Sequence, residues 1–116
     1  MSDLKGEFYF KKTINGNILG EYRNNGSVSS GPMCSWITEA GDNHDTNPLT
    51  NSDFAGTYDA ASIKKSESST YKIVITRSGL NCEVEWFGPR AGHLKFKGTG
   101  KIDASHTLLT GTYFEV

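Results

Sequence analysis

Nowhere in this chain of 116 residues do apolar side chains recur every three or four positions over the length of a stable helix. No apolar run approaches the roughly 20 residues that a bilayer-spanning helix needs. An excess of one charge is missing too, since 12 basic and 13 acidic residues are interspersed and leave a net charge of −1. Nucleic-acid binders carry a basic stripe that replaces phosphate counterions. The nearest candidate, Arg90 with Lys95, Lys97 and Lys101, reads as the solvated face of a strand. Neither a nucleic acid nor a membrane is therefore expected as a partner. Cysteine is scarce, and the spacing of Cys34 and Cys82 fits neither a zinc pair nor a redox Cys-x-x-Cys. Two buried thiols are the simpler reading; a disulfide would need their strands to be neighbours, with Cα atoms about 6 Å apart. The opening residues Met1 to Glu7 lack an apolar signal core, so the expectation is a cytosolic chain or a trimmed mature form. Asn25-Gly26-Ser27 matches a glycosylation acceptor but reads as a turn.

What the chain does contain is alternation. Tyr71, Ile73 and Ile75 fall on one face at period two; after Ser78-Gly79, Cys82, Val84 and Trp86 alternate with Asn81, Glu83 and Glu85. β-Branched and aromatic residues at period two around a Gly-containing turn are a strong hairpin signal. The same alternation marks Leu4 to Ile14, with Phe8 and Phe10 in one phase, and Asn15-Gly16 supplies a tight turn into Ile18 to Arg23. Asn24-Asn25-Gly26 makes a second turn, Ser27 to Ser30 is a weak strand, and Met33 to Thr38 is a strand anchored by Trp36. Glu39 to Asp53 is rich in Asp, Asn, Gly and Pro and reads as one long polar loop outside the core. Phe54 to Ser62, His93 to Ile102 and Thr107 to Val116 complete about eight antiparallel strands in one domain over residues 1–116.

One pattern recurs. Ile18-x-Gly20-x-Tyr22, Phe54-x-Gly56-x-Tyr58 and Leu109-x-Gly111-x-Tyr113 each place an apolar residue, a glycine and a tyrosine on one strand face. Glycine weakens a strand unless the strand bends sharply or another group comes close, and barrels need such bends to close. The apolar end of the last strand calls for a partner, and closure supplies one by pairing Thr107–Phe114 with Glu7–Ile14. The expected fold is all-β: a single up-and-down antiparallel barrel, or a strongly curled sandwich, with Phe8, Phe10, Trp36, Ile73, Ile75, Val84, Trp86, Leu94 and Phe96 filling most of it.

The words Leu109-Thr110-Gly111-Thr112-Tyr113 and Phe54-Ala55-Gly56-Thr57-Tyr58 resemble strand motifs of the avidin and lipocalin-like (calycin) barrels. Lys5-Gly6-Glu7-Phe8-Tyr9 stands where those proteins have an opening Gly-x-Trp, with Phe8 in place of the tryptophan. The resemblance implies a barrel that binds a small ligand at one end. It carries over no binding residue, because the tryptophan set and polar residues expected for biotin have no counterpart here.

Signals for chemistry are sparse. Asp42-Asn43-His44-Asp45 matches neither the calcium nor the zinc ligand pattern, and its residues serve as turn formers. Glu83 and Glu85 share one side of a strand, as outward-facing residues do. No Gly-x-Ser-x-Gly elbow exists. No metal or cofactor is expected. The leading expectation is a non-enzymatic binding module for a small molecule or glycan, with Trp36, Trp86, Tyr22, Tyr58 and Tyr113 as contacts. The alternative is a structural protein that associates with copies of itself through a sheet face; an enzyme comes third.

Overall fold

The period-two runs become eight strands in a computed structural model, which describes residues 5–25, 36–44, 47, 53–64, 67–88 and 92–116, with backbone alone at 63, 64, 67 and 68. They are β1 (Lys5–Lys12), β2 (Ile18–Asn24), β3 (Ile37–Asn43), β4 (Gly56–Lys64), β5 (Glu67–Ser78), β6 (Asn81–Phe87), β7 (Leu94–Ile102) and β8 (Leu108–Glu115). Each pairs antiparallel with the next, and β8 returns to β1, so the sheet is one closed up-and-down barrel. The closing seam runs from Lys5 opposite Phe114 to Lys11 opposite Leu108. Closure leaves no free edge and covers the apolar last strand.

Turn chemistry explains the hairpins. Ser78 pairs with Asn81, leaving Gly79 and Leu80 as a two-residue turn in which Gly79 has φ 63°, the positive angle such turns require at their first position. Between β7 and β8, Asp103 holds the turn by accepting from the amides of Thr107 (2.9 Å) and Leu108 (3.1 Å). Inside the barrel, glycine answers crowding. A Cβ on Gly20 would lie 1.8 Å from the Tyr9 carbonyl oxygen, so β1 and β2 approach this closely only because Gly20 has none.

The two ends of the barrel differ. The lower end, where β1 finishes, is packed solid: Phe10, Ile18, Phe54, Tyr58, Ile75, Cys82, Ile102 and Leu109 are buried. The Tyr58 hydroxyl donates to the Phe54 carbonyl (2.7 Å) and accepts from Lys12 (3.1 Å). Phe54 thus acts as a plug. Its neighbour Asp53 is fixed by Arg77 at 3.0 Å and by the Ala55 amide at 3.1 Å. Cys82 is a free buried thiol, and burial raises its pKa, which makes it a poor nucleophile. Cys34 lies outside the described residues.

Three sequence expectations need correction. Glu39 to Asn43 are not loop but the greater part of β3, paired with β2 and β4. Within the polar segment, residues 45, 46 and 48–52 fall outside the described residues. Trp36 fills no part of the core: it is 40% exposed and lies outside the barrel, edge-on to Tyr9 (5.6 Å between ring centroids) and under the Arg23 guanidinium (4.6 Å). Leu94 is only half-buried. The register shifts between Trp86 and Phe87, so that Trp86 faces Phe96 while Phe87 faces Leu94. Lys95 is the extra residue of this bulge, which breaks the phase between Leu94 and Phe96. The expected strand at Ser27 to Ser30 and residues 33–35 of the next one lie outside the described residues.

Candidate functional site

Toward the upper end, where β1 begins, the inward side chains no longer fill the barrel. A cavity of about 290 Å³ remains, bounded by Tyr22 of β2, Ile37 and Glu39 of β3, Ser62 of β4, Ser69 and Tyr71 of β5, Trp86 of β6, Lys95 and Phe96 of β7 and Tyr113 of β8. The register brings them together: Glu39 sits opposite Ser62, Ser62 opposite Ser69, and Trp86 opposite Phe96. On its other side Glu39 faces Gly20, which presents no side chain there.

Glu39 is the chemical centre of the site. It is 1% exposed. Its Oε1 accepts from the Tyr71 hydroxyl (2.6 Å) and from Trp86 Nε1 (2.8 Å). Its Oε2 is buried and has no hydrogen-bond partner among the described residues. Burial disfavours the charged form, while the two donors favour it. Burial wins, and the pKa of Glu39 rises to about 7. Burial raises the pKa values of Tyr22 and Tyr71, and the neighbouring Glu39 carboxylate adds to the rise at each, while Ser62 lies beside both and lowers the pKa of each. The phenols therefore stay protonated.

Aromatic rings wall the rest. Trp86 and Tyr113 lie 5.4 Å apart, Phe96 meets Tyr113 edge-on at 5.6 Å, and Tyr22 meets it edge-on at 6.3 Å. The other charged wall residue among those described, Lys95, pairs with Glu115 at 3.2 Å.

Of the five aromatic residues expected to contact a ligand, Tyr22, Trp86 and Tyr113 converge on this cavity. Trp36 is outside the barrel and Tyr58 belongs to the packed lower end. Glu39 escapes a reading of the sequence because Asp, Asn and Gly after it give the segment the composition of a loop. The signal for it is the alternation Ile37-x-Glu39-x-Gly41, with a carboxylate standing in a strand's inward phase. Among the described residues no three His, Cys, Asp or Glu side chains form a cluster able to hold a metal, and no helix is long and apolar enough to cross a membrane. Comparison with family models, curated proteins and solved structures gave no match.

Proposed function

We propose that this barrel is a non-enzymatic binding protein for a small molecule, taken up in the upper cavity among Tyr22, Glu39, Trp86 and Tyr113. One observation carries the reading: a buried carboxyl group with one oxygen unpartnered among the described residues stands in the wall of an aromatic cavity. A buried polar atom left unsatisfied costs about 1–3 kcal/mol, a cost that a bound ligand removes. A volume of about 290 Å³ is at the lower end of the range for ligand pockets, and it favours a compact molecule over an extended glycan. The resemblance to avidin and lipocalin-like barrels points the same way.

The test is a thermal-shift screen of compact aromatic compounds against the wild type and Ser69→Trp, whose added indole occupies the cavity rim. Compounds that bind should raise the melting temperature of the wild type, following the ratio of concentration to Kd, and leave Ser69→Trp unmoved. Equal shifts in both proteins would place binding elsewhere. No shift at millimolar concentration, with a mass that grows with protein concentration, would favour self-association instead.

A further inference from the structure

We infer that the ligand of this cavity is a compact organic ammonium ion, whose N–H groups donate to Glu39 Oε2 while aromatic rings surround its carbon skeleton. The inference rests on the cavity being a small-molecule site and adds the ligand's charge. Glu39 Oε1 already accepts from Tyr71 on β5 and Trp86 on β6, so what the carboxylate lacks among the described residues is a donor at Oε2. An occupant also displaces water from the cavity. If it is neutral or anionic, it makes ionised Glu39 costlier still; a cation compensates the buried charge. The walls suit a cation as well, because the faces of tryptophan, tyrosine and phenylalanine rings are negative. Rings of all three kinds, Tyr22, Trp86, Phe96 and Tyr113 among them, line this cavity. Lys95, the cationic wall residue, is balanced by Glu115.

The same geometry makes binding pH-dependent. Among the described residues, the ionisable groups around Glu39 are Tyr22 on β2, Tyr71 on β5, Tyr113 on β8 and the Lys95–Glu115 pair on β7 and β8. The phenols of Tyr22 and Tyr71 titrate above their ordinary range, which leaves Glu39 to change charge near neutrality. The nearest histidine to the wall, His93, is exposed and reaches it only through its carbonyl, which accepts from the Gly88 amide.

The experiment compares three probes of similar shape: 2-phenylethylammonium, 2-phenylethanol and phenylacetate. Binding is read from Trp86 fluorescence in a Trp36→Phe protein, which leaves one of the two tryptophans in the chain. At pH 8 the ammonium ion should bind at least about tenfold more tightly than the alcohol, as a hydrogen bond to a charged group implies. Phenylacetate should bind weakest. Between pH 8 and pH 6 Glu39 takes up its proton, so the ammonium ion should lose about tenfold in affinity while the alcohol does not. His93→Gln should keep that profile. Glu39→Gln should abolish both the preference and the profile; if that variant does not fold, the pH series on unaltered Glu39 answers the same question. Equal or tighter binding of the alcohol or of phenylacetate, or a flat profile for the ammonium ion, overturns the inference and leaves the cavity as a small-molecule site. Failure of all three probes at millimolar concentration overturns the small-molecule reading as well.

Discussion

A carboxyl group buried as completely as Glu39 ties the stability of the barrel to pH. Its pKa is raised from 4.5 to about 7 in the folded chain, so between those values the folded state holds a proton that the unfolded state has released. Stability at this group is therefore lost as pH rises through that window, and below it there is no penalty. The loss should be on the order of 3 kcal/mol. Glu39→Gln removes the ionisation, so urea midpoints of the two proteins at pH 4.5, 6 and 7.5 should diverge, with only the wild type losing this increment. Parallel curves would mean that Glu39 titrates normally. Trp86 has two separable roles, as its ring packs on Phe8 at 5.3 Å and its Nε1 holds Glu39. Trp86→Ala should cost about 3–5 kcal/mol, as deleting a large core aromatic does. Trp86→Phe should cost about 1–3 kcal/mol, mainly for the lost hydrogen bond to the carboxylate. Denaturant midpoints near pH 8 resolve the two, and equal costs would show that the hydrogen bond contributes nothing.

Among the elements, β8 decides whether the sheet is a barrel. It pairs with β7 on one side and with β1 on the other, and its Leu109 and Tyr113 are buried. Removing Leu109 to Val116 would leave β1 and β7 as open edges and uncover Phe8, Phe10 and Phe96. Open apolar edges recruit other chains. The truncated chain should therefore be insoluble; a soluble product with a cooperative unfolding transition would show that the seam is dispensable. β3 illustrates how pairing overrides composition. Gly41, Asp42 and Asn43 are poor strand formers, but all three pair with β4, and Gly41 also pairs with Ile18 of β2. Hydrogen bonds from Asn43 to Asn17 Oδ1 (2.9 Å) and to the Gly16 carbonyl (3.1 Å) fix the lower end of the strand to the β1–β2 turn.

Over the whole molecule, the packed core and the proposed binding site lie at opposite ends. Phe54 and Tyr58 seal the lower end; the upper cavity has buried polar groups and less packing. Distant sites without shared partners act independently, so substitutions at the two ends should give opposite signatures. Phe54→Ala should lower stability by about 3–5 kcal/mol and leave ligand affinity within twofold. Ser69→Trp, at an exposed position, should shift stability by no more than about 0.5 kcal/mol and abolish binding. Paired measurements of denaturant midpoint and ligand affinity check this. A loss of affinity in Phe54→Ala would show the ends to be coupled.

Sequence alone narrowed the fold to an antiparallel barrel or a strongly curled sandwich, and the closed sheet is the barrel. Period-two alternation, Gly-containing turns and glycines in the inward phase are local signals, and each survives in the observed hairpins because neighbouring residues enforce it. The apolar last strand even indicated its partner, since an unpaired edge of that composition has nowhere else to be buried. Three of the five aromatic residues expected as contacts, Tyr22, Trp86 and Tyr113, line the upper cavity. What only the tertiary structure decided was which inward positions are filled and which are not. Trp36 looks like a core residue by type, yet it lies outside, where Tyr9 and Arg23 cover it in part. Tyr58 shares its motif with Tyr22 and Tyr113 but lies at the other end of the barrel. Glu39 reads as loop because local composition outweighs a single alternation. Its role arises from residues far apart in the chain: Gly20, paired opposite it, presents no side chain, and Tyr71 and Trp86 supply its two donors. The burial that raises its pKa is a property of the closed barrel, and no stretch of sequence contains it.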